Sequence, residues 1–123
     1  MDKPAVLVVE DEFLIREVLE RALEEGGFAV TGVGDADQAE AALRSGQVFQ
    51  GLVTDVRLPG GRTGWEIAKA ARAQFAHIAV VYATGHGELE WPVDGVPGSA
   101  LVNKPYAPAQ VLAALAAQLN IPG

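Results

Sequence analysis

Short apolar runs alternate with amphipathic segments along the whole chain. The first run, Ala5 to Val9, is wholly apolar and mostly β-branched, which is typical of a strand covered on both faces. In the next segment, Phe13 to Glu25, apolar residues recur every four positions and charged residues fill the other positions. The glycine pair Gly26-Gly27 predicts the end of this segment. The chain is therefore predicted to begin with a strand and a helix.

The same alternation continues along the rest of the sequence. The further predicted strands are Phe28–Thr31, Leu52–Thr54, Ile78–Ala83 and Ala100–Asn103. The further predicted helices are Asp35–Arg44, a helix from Gly64 or Trp65 to about Gln74, and Pro108–Leu119. Two residue pairs have the spacing of helix capping boxes, and these are Asp35 with Gln38 and Thr63 with Glu66.

Five strands alternating with helices predict an α/β domain with a parallel sheet and right-handed crossovers. The segment from Gly85 to Ser99 is rich in Gly and Pro, so a fourth helix there is expected to have about one or two turns, or to be absent. The length of 123 residues suits one domain, and the chain ends just after the last predicted helix. We therefore expect residues 1–123 to form a single domain without an output domain.

Composition and charge narrow the classes of function. The net charge of −7 argues against non-specific binding to nucleic acid or to an anionic membrane. The absence of cysteine excludes disulfides and thiolate metal sites, and only two histidines are present, which disfavours a zinc site. There is no signal peptide pattern and no apolar stretch near the ~20 residues that a membrane span needs. A cytoplasmic location is the expected one.

Polar side chains stand where the apolar strands end. Glu10 and Asp11 follow the first strand and Asp55 follows the third. In an open parallel sheet these ends share one edge, so the three carboxylates should converge and need a cation between them. Oxygen ligands favour Mg²⁺ before Ca²⁺. With the Thr84 hydroxyl and the Lys104 ammonium at the ends of the fourth and fifth strands, the set suits a phosphoryl group, with Asp55 as the nucleophile.

Four motifs carry a resemblance to a known family. They are Val6–Glu12, Val53–Gly60, Ala83–Gly85 and Asn103–Pro105, in this order and with suitable spacing. Together they resemble the receiver domain of two-component response regulators, over essentially the whole chain. The resemblance implies a flavodoxin-like fold of strand order 2-1-3-4-5. It also implies that Asp55 accepts a phosphoryl group from a histidine kinase or a histidine phosphotransfer protein.

The resemblance further implies a role for each site residue. Asp11 would hold Mg²⁺ directly, Glu10 through water, and Arg57 through its backbone carbonyl. The phosphoryl oxygens would be contacted by Thr84 and Lys104. The peptide bond between Lys104 and Pro105 would be cis, which is uncommon even before proline. Residues Arg57 and His86 would flank the phosphoryl site, and we predict that both affect the rate of dephosphorylation.

The sequence departs from the usual receiver at Leu101. This position, three residues before Lys104, is normally aromatic, so coupling between Thr84 and a swinging ring is not available in its usual form. The sequence Tyr82-Ala83-Thr84-Gly85 and the shortened fourth helix are similar to the single-domain subgroup called FAT GUY regulators. Tyr82 and Gly87 differ from the residues of that subgroup's motif.

Other interpretations remain beside this one. Taken singly, the acidic residues after the first strand could simply begin a helix, and Asp55 could simply precede a turn. A Mg²⁺-dependent phosphohydrolase would normally have an acid/base Asp two residues after the nucleophile, where this chain has Arg57. A degenerate receiver that serves only as an interaction module would not need the full set of Asp11, Asp55, Thr84 and Lys104. We therefore expect a switch whose only chemistry is its own phosphorylation and dephosphorylation, and no enzyme.

The last predicted helix carries no charge, because no residue after Lys104 is charged. Part of its outer face is predicted to be formed by Ala109, Ala113, Ala116 and Ala117. Two interpretations stay open. The helix is either a contact surface for a downstream protein or a second copy of the chain, or simply a weakly polar alanine-rich helix that is stable in itself.

Overall fold

Eleven elements follow one another in the computed structural model, which describes residues 3–85 and 89–119. The strands are β1 (Ala5–Val9), β2 (Ala29–Val33), β3 (Gly51–Thr54), β4 (Ala79–Thr84) and β5 (Ala100–Asn103). The helices are α1 (Phe13–Glu25), α2 (Ala36–Leu43), α3 (Gly64–Gln74), α4 (Trp91–Asp94) and α5 (Pro108–Leu119), and a 3₁₀ turn spans Pro59–Gly61. Within the described residues, no helix is both long and apolar enough to cross a membrane.

The five strands form one parallel sheet of order β2-β1-β3-β4-β5. This confirms the predicted flavodoxin-like order. The first strand, β1, lies between β2 and β3, so the end of β1 and the end of β3 are neighbours. The strand order thus already brings Glu10 next to Asp55.

The sheet has a hydrophobic core on each face because successive strand residues point to opposite sides. Leu7 and Val9 of β1 face a core closed by α2 and α3, while Val6 and Val8 face a core closed by α1 and α5. All residues of β1, β3 and β4 are buried, as expected for strands covered on both faces. The edge strand β2 is only partly covered.

Several predicted boundaries shift by one or two residues. The largest shift is in β2, predicted at Phe28–Thr31 and found at Ala29–Val33. The N–H of Phe28 donates to the carbonyl of Leu23 and so belongs to the end of α1, whereas Gly32 and Val33 continue the pairing with β1. Strand β3 gains Gly51 at its start, and β4 runs one residue later than predicted at both ends.

Both capping pairs begin helices, but in both the second side chain bonds a different group from the one expected in a capping box. The Asp35 carboxylate accepts a hydrogen bond from the Gln38 N–H at 2.8 Å, while the Gln38 side chain accepts from the N–H of Gly34 instead of Asp35. Helix α2 accordingly begins at Ala36, with Asp35 as its cap. The Thr63 hydroxyl accepts from the Glu66 N–H at 3.3 Å, and α3 begins at Gly64, the first of the two predicted starts.

The last two helices confirm one prediction and correct another. Helix α4 has a single turn, as the Gly- and Pro-rich segment predicted. In α5, Ala109, Ala113 and Ala117 are exposed, but Ala116 is buried, so its placement on the outer face was wrong. It lies next to Leu115, on the half of the helix that packs on the sheet.

Helix α3 approaches the end of β3 closely at Gly64. A Cβ atom at this position would collide with the backbone carbonyl of Asp55. We predict that Gly64→Ala lowers the free energy of unfolding by about 1–3 kcal/mol, because strand or helix must move to make room. The matched control is Gly26→Ala, whose Cβ would lie 2.6 Å from the end of the flexible Leu112 side chain, which can rotate away. Urea denaturation measures both variants, and equal losses would contradict the prediction.

Candidate functional site

Backbone pairing continues one residue beyond the strands and holds the site residues in place. The N–H of Glu10 donates to the Val33 carbonyl, that of Asp55 to the Val9 carbonyl, and that of Lys104 to the Thr84 carbonyl, each at 3.0 Å. These three residues therefore leave the carboxyl edge of the sheet from fixed backbone positions.

Three carboxylates converge at this edge, as the sequence predicted. Oxygen atoms of Glu10, Asp11 and Asp55 lie within 4.8 Å of one another. The residues differ in exposure, since Glu10 is buried, Asp55 is half-buried and Asp11 is exposed. A set of carboxylate oxygens without nitrogen or sulfur ligands fits a hard divalent cation such as Mg²⁺. The donor set at the described site thus fits the expected metal.

The Lys104 ammonium lies between two of these carboxylates. Its Nζ donates to Glu10 Oε1 at 2.7 Å and to Asp55 Oδ2 at 2.9 Å. Burial alone would lower the pKa of Lys104, but the hydrogen bonds to Glu10 and Asp55 and their negative charges outweigh burial and raise the pKa above its ordinary value. Lys104 is therefore a permanent cation in the physiological pH range.

The second oxygen of Glu10 is also engaged. Its Oε2 accepts a hydrogen bond from the Glu12 N–H at 3.0 Å. Burial raises the pKa of the Glu10 carboxyl, while the hydrogen bonds from Lys104 and Glu12 act in the opposite direction. Both Glu10 oxygens thus have protein donors in this arrangement.

The loop after Asp55 folds back on itself as a small hairpin. The N–H of Arg57 points to Asp55 Oδ1 at 3.4 Å, and Arg57 pairs with Thr63 in an isolated antiparallel bridge. The N–H of Leu58 donates to the Arg62 carbonyl, and the Arg62 guanidinium reaches Glu40 of α2 at 2.6 Å. The loop is therefore fixed at both ends. The role of the Arg57 carbonyl as a metal ligand stays a prediction.

The remaining predicted site residues lie at the ends of β4 and β5. Thr84 is wholly buried at the end of β4. The Lys104–Pro105 peptide bond is cis, as predicted. Leu101 is half-buried and stands opposite Tyr82 in the pairing of β4 with β5. The predicted flanking residue His86, like Gly87, lies outside the described residues.

A network around Tyr82 connects β4 to the segment that contains α4. The Tyr82 ring is wholly buried and lies 4.5 Å from the Trp65 ring, centroid to centroid. Its hydroxyl accepts a hydrogen bond from the Val96 N–H at 3.2 Å. The half-buried Trp91 donates from its indole nitrogen to Ser99 Oγ at 3.0 Å. These contacts place Trp65 in the core, and they show a packing role for Trp91.

Sequence reasoning missed two residues beside the site, Tyr106 and Arg16. Burial raises the pKa of the Tyr106 hydroxyl, and the nearby Glu10 carboxylate adds to this effect. The guanidinium of Arg16 donates to the backbone carbonyl of Glu10 at 2.9 Å. The position of Tyr106 directly after the motif with Lys104 could have indicated it, whereas Arg16 has the appearance of any charged residue on a helix.

An apolar groove begins next to Lys104, between α1 and the loop before α5. Large side chains of α1 on its rim are mostly exposed, with Leu14 at 74% and Val18 at 57%. The residues that line it are Leu14, Ile15, Val18, Leu19, Tyr106 and Pro108, and an adjoining cavity is lined by Ile15, Lys104, Pro105 and Tyr106. The groove therefore leads directly to the carboxyl edge of the sheet at Lys104.

We predict that Lys104→Met raises the pKa of Glu10 further. The substitution removes a hydrogen bond and a positive charge that lower this pKa, and it leaves burial and the Asp55 charge, which both raise it. A ¹³C NMR titration of the Glu side-chain carboxyls without Mg²⁺ measures the change. The control is Lys69→Met, on an exposed position of α3. A Glu10 pKa that is unchanged or lowered in Lys104→Met would contradict the assigned contact.

Comparisons with known proteins agree with this geometry. The family described as response regulator receiver domain matches residues 6–116. The chain is 38% identical to the transcriptional regulatory protein FixJ of Azorhizobium caulinodans over 119 residues, which are 94% of this chain and 54% of FixJ. It is 36% identical over 89 residues to the transcriptional regulatory protein AruR of Pseudomonas aeruginosa, which are 69% of this chain and 36% of AruR. The chain thus spans about half the length, or less, of these curated relatives.

Solved structures show the same architecture over nearly the whole chain. A response regulator receiver protein from Sinorhizobium medicae superposes with a TM-score of 0.92 at 35% identity, covering 97% of this chain and 96% of that one. The chemotaxis response regulator CheY4 of Vibrio cholerae has a TM-score of 0.81 at 25% identity, covering 95% and 99% of the two chains. The fold, the convergent carboxylates with Lys104, and the family match lead to one conclusion: the chain belongs to the response regulator receiver domain family of two-component systems.

Proposed function

We propose that this chain is a signalling switch that accepts a phosphoryl group on Asp55 from a histidine kinase or a histidine phosphotransfer protein. The observation that carries the proposal is the position of Asp55 within one hydrogen bond of Lys104 and beside Glu10 and Asp11. A carboxylate that is half-buried, close to a cation and next to a metal-type acidic pair has the surroundings of an aspartyl-phosphate nucleophile.

In the proposed reaction, a carboxylate oxygen of Asp55 attacks phosphorus. A new P–O bond forms while the P–N bond to the donor histidine breaks, and the imidazole leaves with the electron pair of that bond. The ammonium of Lys104 contacts Asp55 Oδ2 at 2.9 Å. After the transfer it would donate a hydrogen bond to an oxygen of the new phosphoryl group. Thr84, at the end of β4, would donate its hydroxyl to another.

The acidic cluster supports a divalent cation as cofactor. Asp11 and Asp55 would hold Mg²⁺ directly, the Arg57 carbonyl would add a ligand, and Glu10 would act through water, since both its oxygens already accept hydrogen bonds. When bound, Mg²⁺ would offset negative charge on the transferring phosphoryl group. The chain's own part is to hold these oxygens on a rigid sheet edge.

The proposed chemistry ends with dephosphorylation of the same aspartate, so the chain is not proposed to be an enzyme acting on another substrate. A phosphohydrolase of the aspartyl type would need an acid/base Asp two residues after Asp55, and this chain has Arg57 there instead. As a residue next to the phosphoryl site, Arg57 would instead influence how long the phosphoryl group persists, together with His86.

The phosphoryl donor is proposed to be a protein because an apolar groove adjoins the site. A small phosphodonor needs no such surface, whereas the exposed Leu14 and Val18 on the rim of the groove suit contact with a partner. The groove ends at Lys104 and Pro105, so a docked protein would present its histidine close to Asp55.

The output is proposed to pass through protein contacts or onward phosphotransfer. We propose a cytoplasmic protein that acts either on a downstream protein or as an intermediate in a phosphorelay. The exposed alanines of α5, Ala109, Ala113 and Ala117, form an uncharged surface for a downstream protein or a second copy.

We predict that incubation with acetyl phosphate and Mg²⁺ adds one acid-labile phosphoryl group to Asp55. Intact-mass spectrometry detects the adduct, and peptide mapping locates it. The Asp55→Ala variant should give no adduct, whereas Asp37→Ala, at an aspartate with 93% side-chain exposure, should behave like the wild type. An adduct that survives Asp55→Ala, or no adduct on the wild type, would reject the proposed function.

We predict that Leu14→Asp separates protein donors from small donors. Transfer from a histidine kinase that phosphorylates the wild-type chain should become about tenfold slower or more, because a charge replaces an apolar contact in the groove. Phosphorylation by acetyl phosphate should be unchanged, since Leu14 is not part of the carboxylate cluster. The control is Val48→Asp, at a mostly exposed residue before β3 and thus at the opposite edge of the sheet. Equal slowing by both variants would exclude the groove as the docking surface.

A further inference from the structure

Arg16 lies on α1 but reaches back to the end of β1. Its Nη1 donates a hydrogen bond to the backbone carbonyl of Glu10 at 2.9 Å. This carbonyl belongs to the peptide unit that joins Glu10 to Asp11, two of the three acidic residues of the site. Because a peptide unit is planar, a bond to its carbonyl constrains the backbone on both sides of it. Arg16 therefore acts on the backbone from which both carboxylates extend.

The guanidinium is itself held by other contacts. Its Nε lies 3.8 Å from Glu20 Oε1, one turn further along α1, and its Cζ lies 5.5 Å from the centre of the Phe13 ring. The Arg16 side chain is only 20% exposed. A planar guanidinium fixed at several points loses little further freedom when it donates one more hydrogen bond. Arg16 is thus a firm support for the Glu10 carbonyl.

Two glycines make room for this arrangement. A Cβ atom on Gly32 of β2 would collide with the Glu20 carboxylate, and a Cβ atom on Gly34 would lie 3.0 Å from Arg16 Nη1. Glycine inside a strand weakens it and often marks a place where another group approaches closely. The two glycines therefore leave open the space that the side chains of Arg16 and Glu20 occupy.

We propose that Arg16 is a positioning residue for the magnesium site. It fixes the peptide between Glu10 and Asp11 so that their carboxylates face Asp55. The proposal rests on the proposed function, because it concerns the same Mg²⁺ ion. The proposal also predicts the direction in which the Mg²⁺ affinity changes when Arg16 is replaced. A cation near a metal site repels the ion, so loss of charge alone would strengthen Mg²⁺ binding, whereas loss of positioning weakens it.

The test is an NMR titration of the 123-residue chain with MgCl₂, following backbone amide signals. We expect Arg16→Met to bind Mg²⁺ about tenfold more weakly than the wild type, the usual scale for loss of a group that orients a metal ligand. Arg16→Lys keeps a donor and the charge and should recover part of the affinity. The matched control is Arg21→Met, on the same helix with Glu17 as its ion-pair partner at 3.5 Å, and it should bind like the wild type.

The outcomes separate this proposal from the proposed function. A wild type that binds no Mg²⁺ overturns both. A wild type that binds, with Arg16→Met binding equally or more tightly, overturns the role of Arg16 alone. A merely structural role would lower the thermal midpoint of Arg16→Met without weakening Mg²⁺ binding by the folded protein, which again overturns it. If Arg16→Met does not fold, Arg16→Lys decides instead, because an ammonium lacks the planar fork of the guanidinium and should hold the Glu10 carbonyl less firmly, so Mg²⁺ binding should be weaker than in the wild type; unchanged affinity rejects the proposal.

Discussion

The carboxyl edge of the sheet depends on a balance of charge. Carboxylate oxygens of Glu10, Asp11 and Asp55 lie within 4.8 Å of one another, and two unit charges at that distance interact by about 3 kcal/mol at an effective dielectric of 20. Repulsion of this size is a large part of the roughly 5–15 kcal/mol that stabilise a domain. The Lys104 ammonium offsets it by bonding Glu10 and Asp55 at once. The site therefore stays negatively charged, while Lys104 offsets part of the repulsion among its carboxylates.

The fold makes this balance possible by fixing the backbone beneath it. Glu10, Asp55 and Lys104 each donate a backbone hydrogen bond to the neighbouring strand, so none of them sits on a free loop. Strands β1 and β3, which lead to Glu10 and Asp55, are buried on both faces, and this leaves little room for them to slide. Gly64 then lets α3 close against the end of β3. Rigid strands with polar residues only at their ends allow a site to hold like charges close together.

Much of this could be predicted from sequence because it depends on local patterns. Apolar runs predicted the strands, and the position of Asp55 and Lys104 after such runs placed them at one edge. The end of β2 was missed because Gly32 and Val33 join the sheet through pairing with β1, which local propensity does not contain. Arg16 was missed for a similar reason, since its contact with the Glu10 carbonyl depends on how α1 lies over the end of β1.

The replacement of the usual aromatic by Leu101 changes what can connect the site to the α4 segment. Leu101 has no hydroxyl and no ring to turn, and it lies opposite Tyr82 in the sheet. Tyr82 has both, but its ring is wholly buried against Trp65, and its hydroxyl accepts from the Val96 N–H. Tyr82 and Thr84 are two residues apart and so face the same side of β4. The Tyr82 ring and its hydroxyl therefore connect the end of β4 to the core at Trp65 and to the backbone before β5, a connection that Leu101 cannot provide.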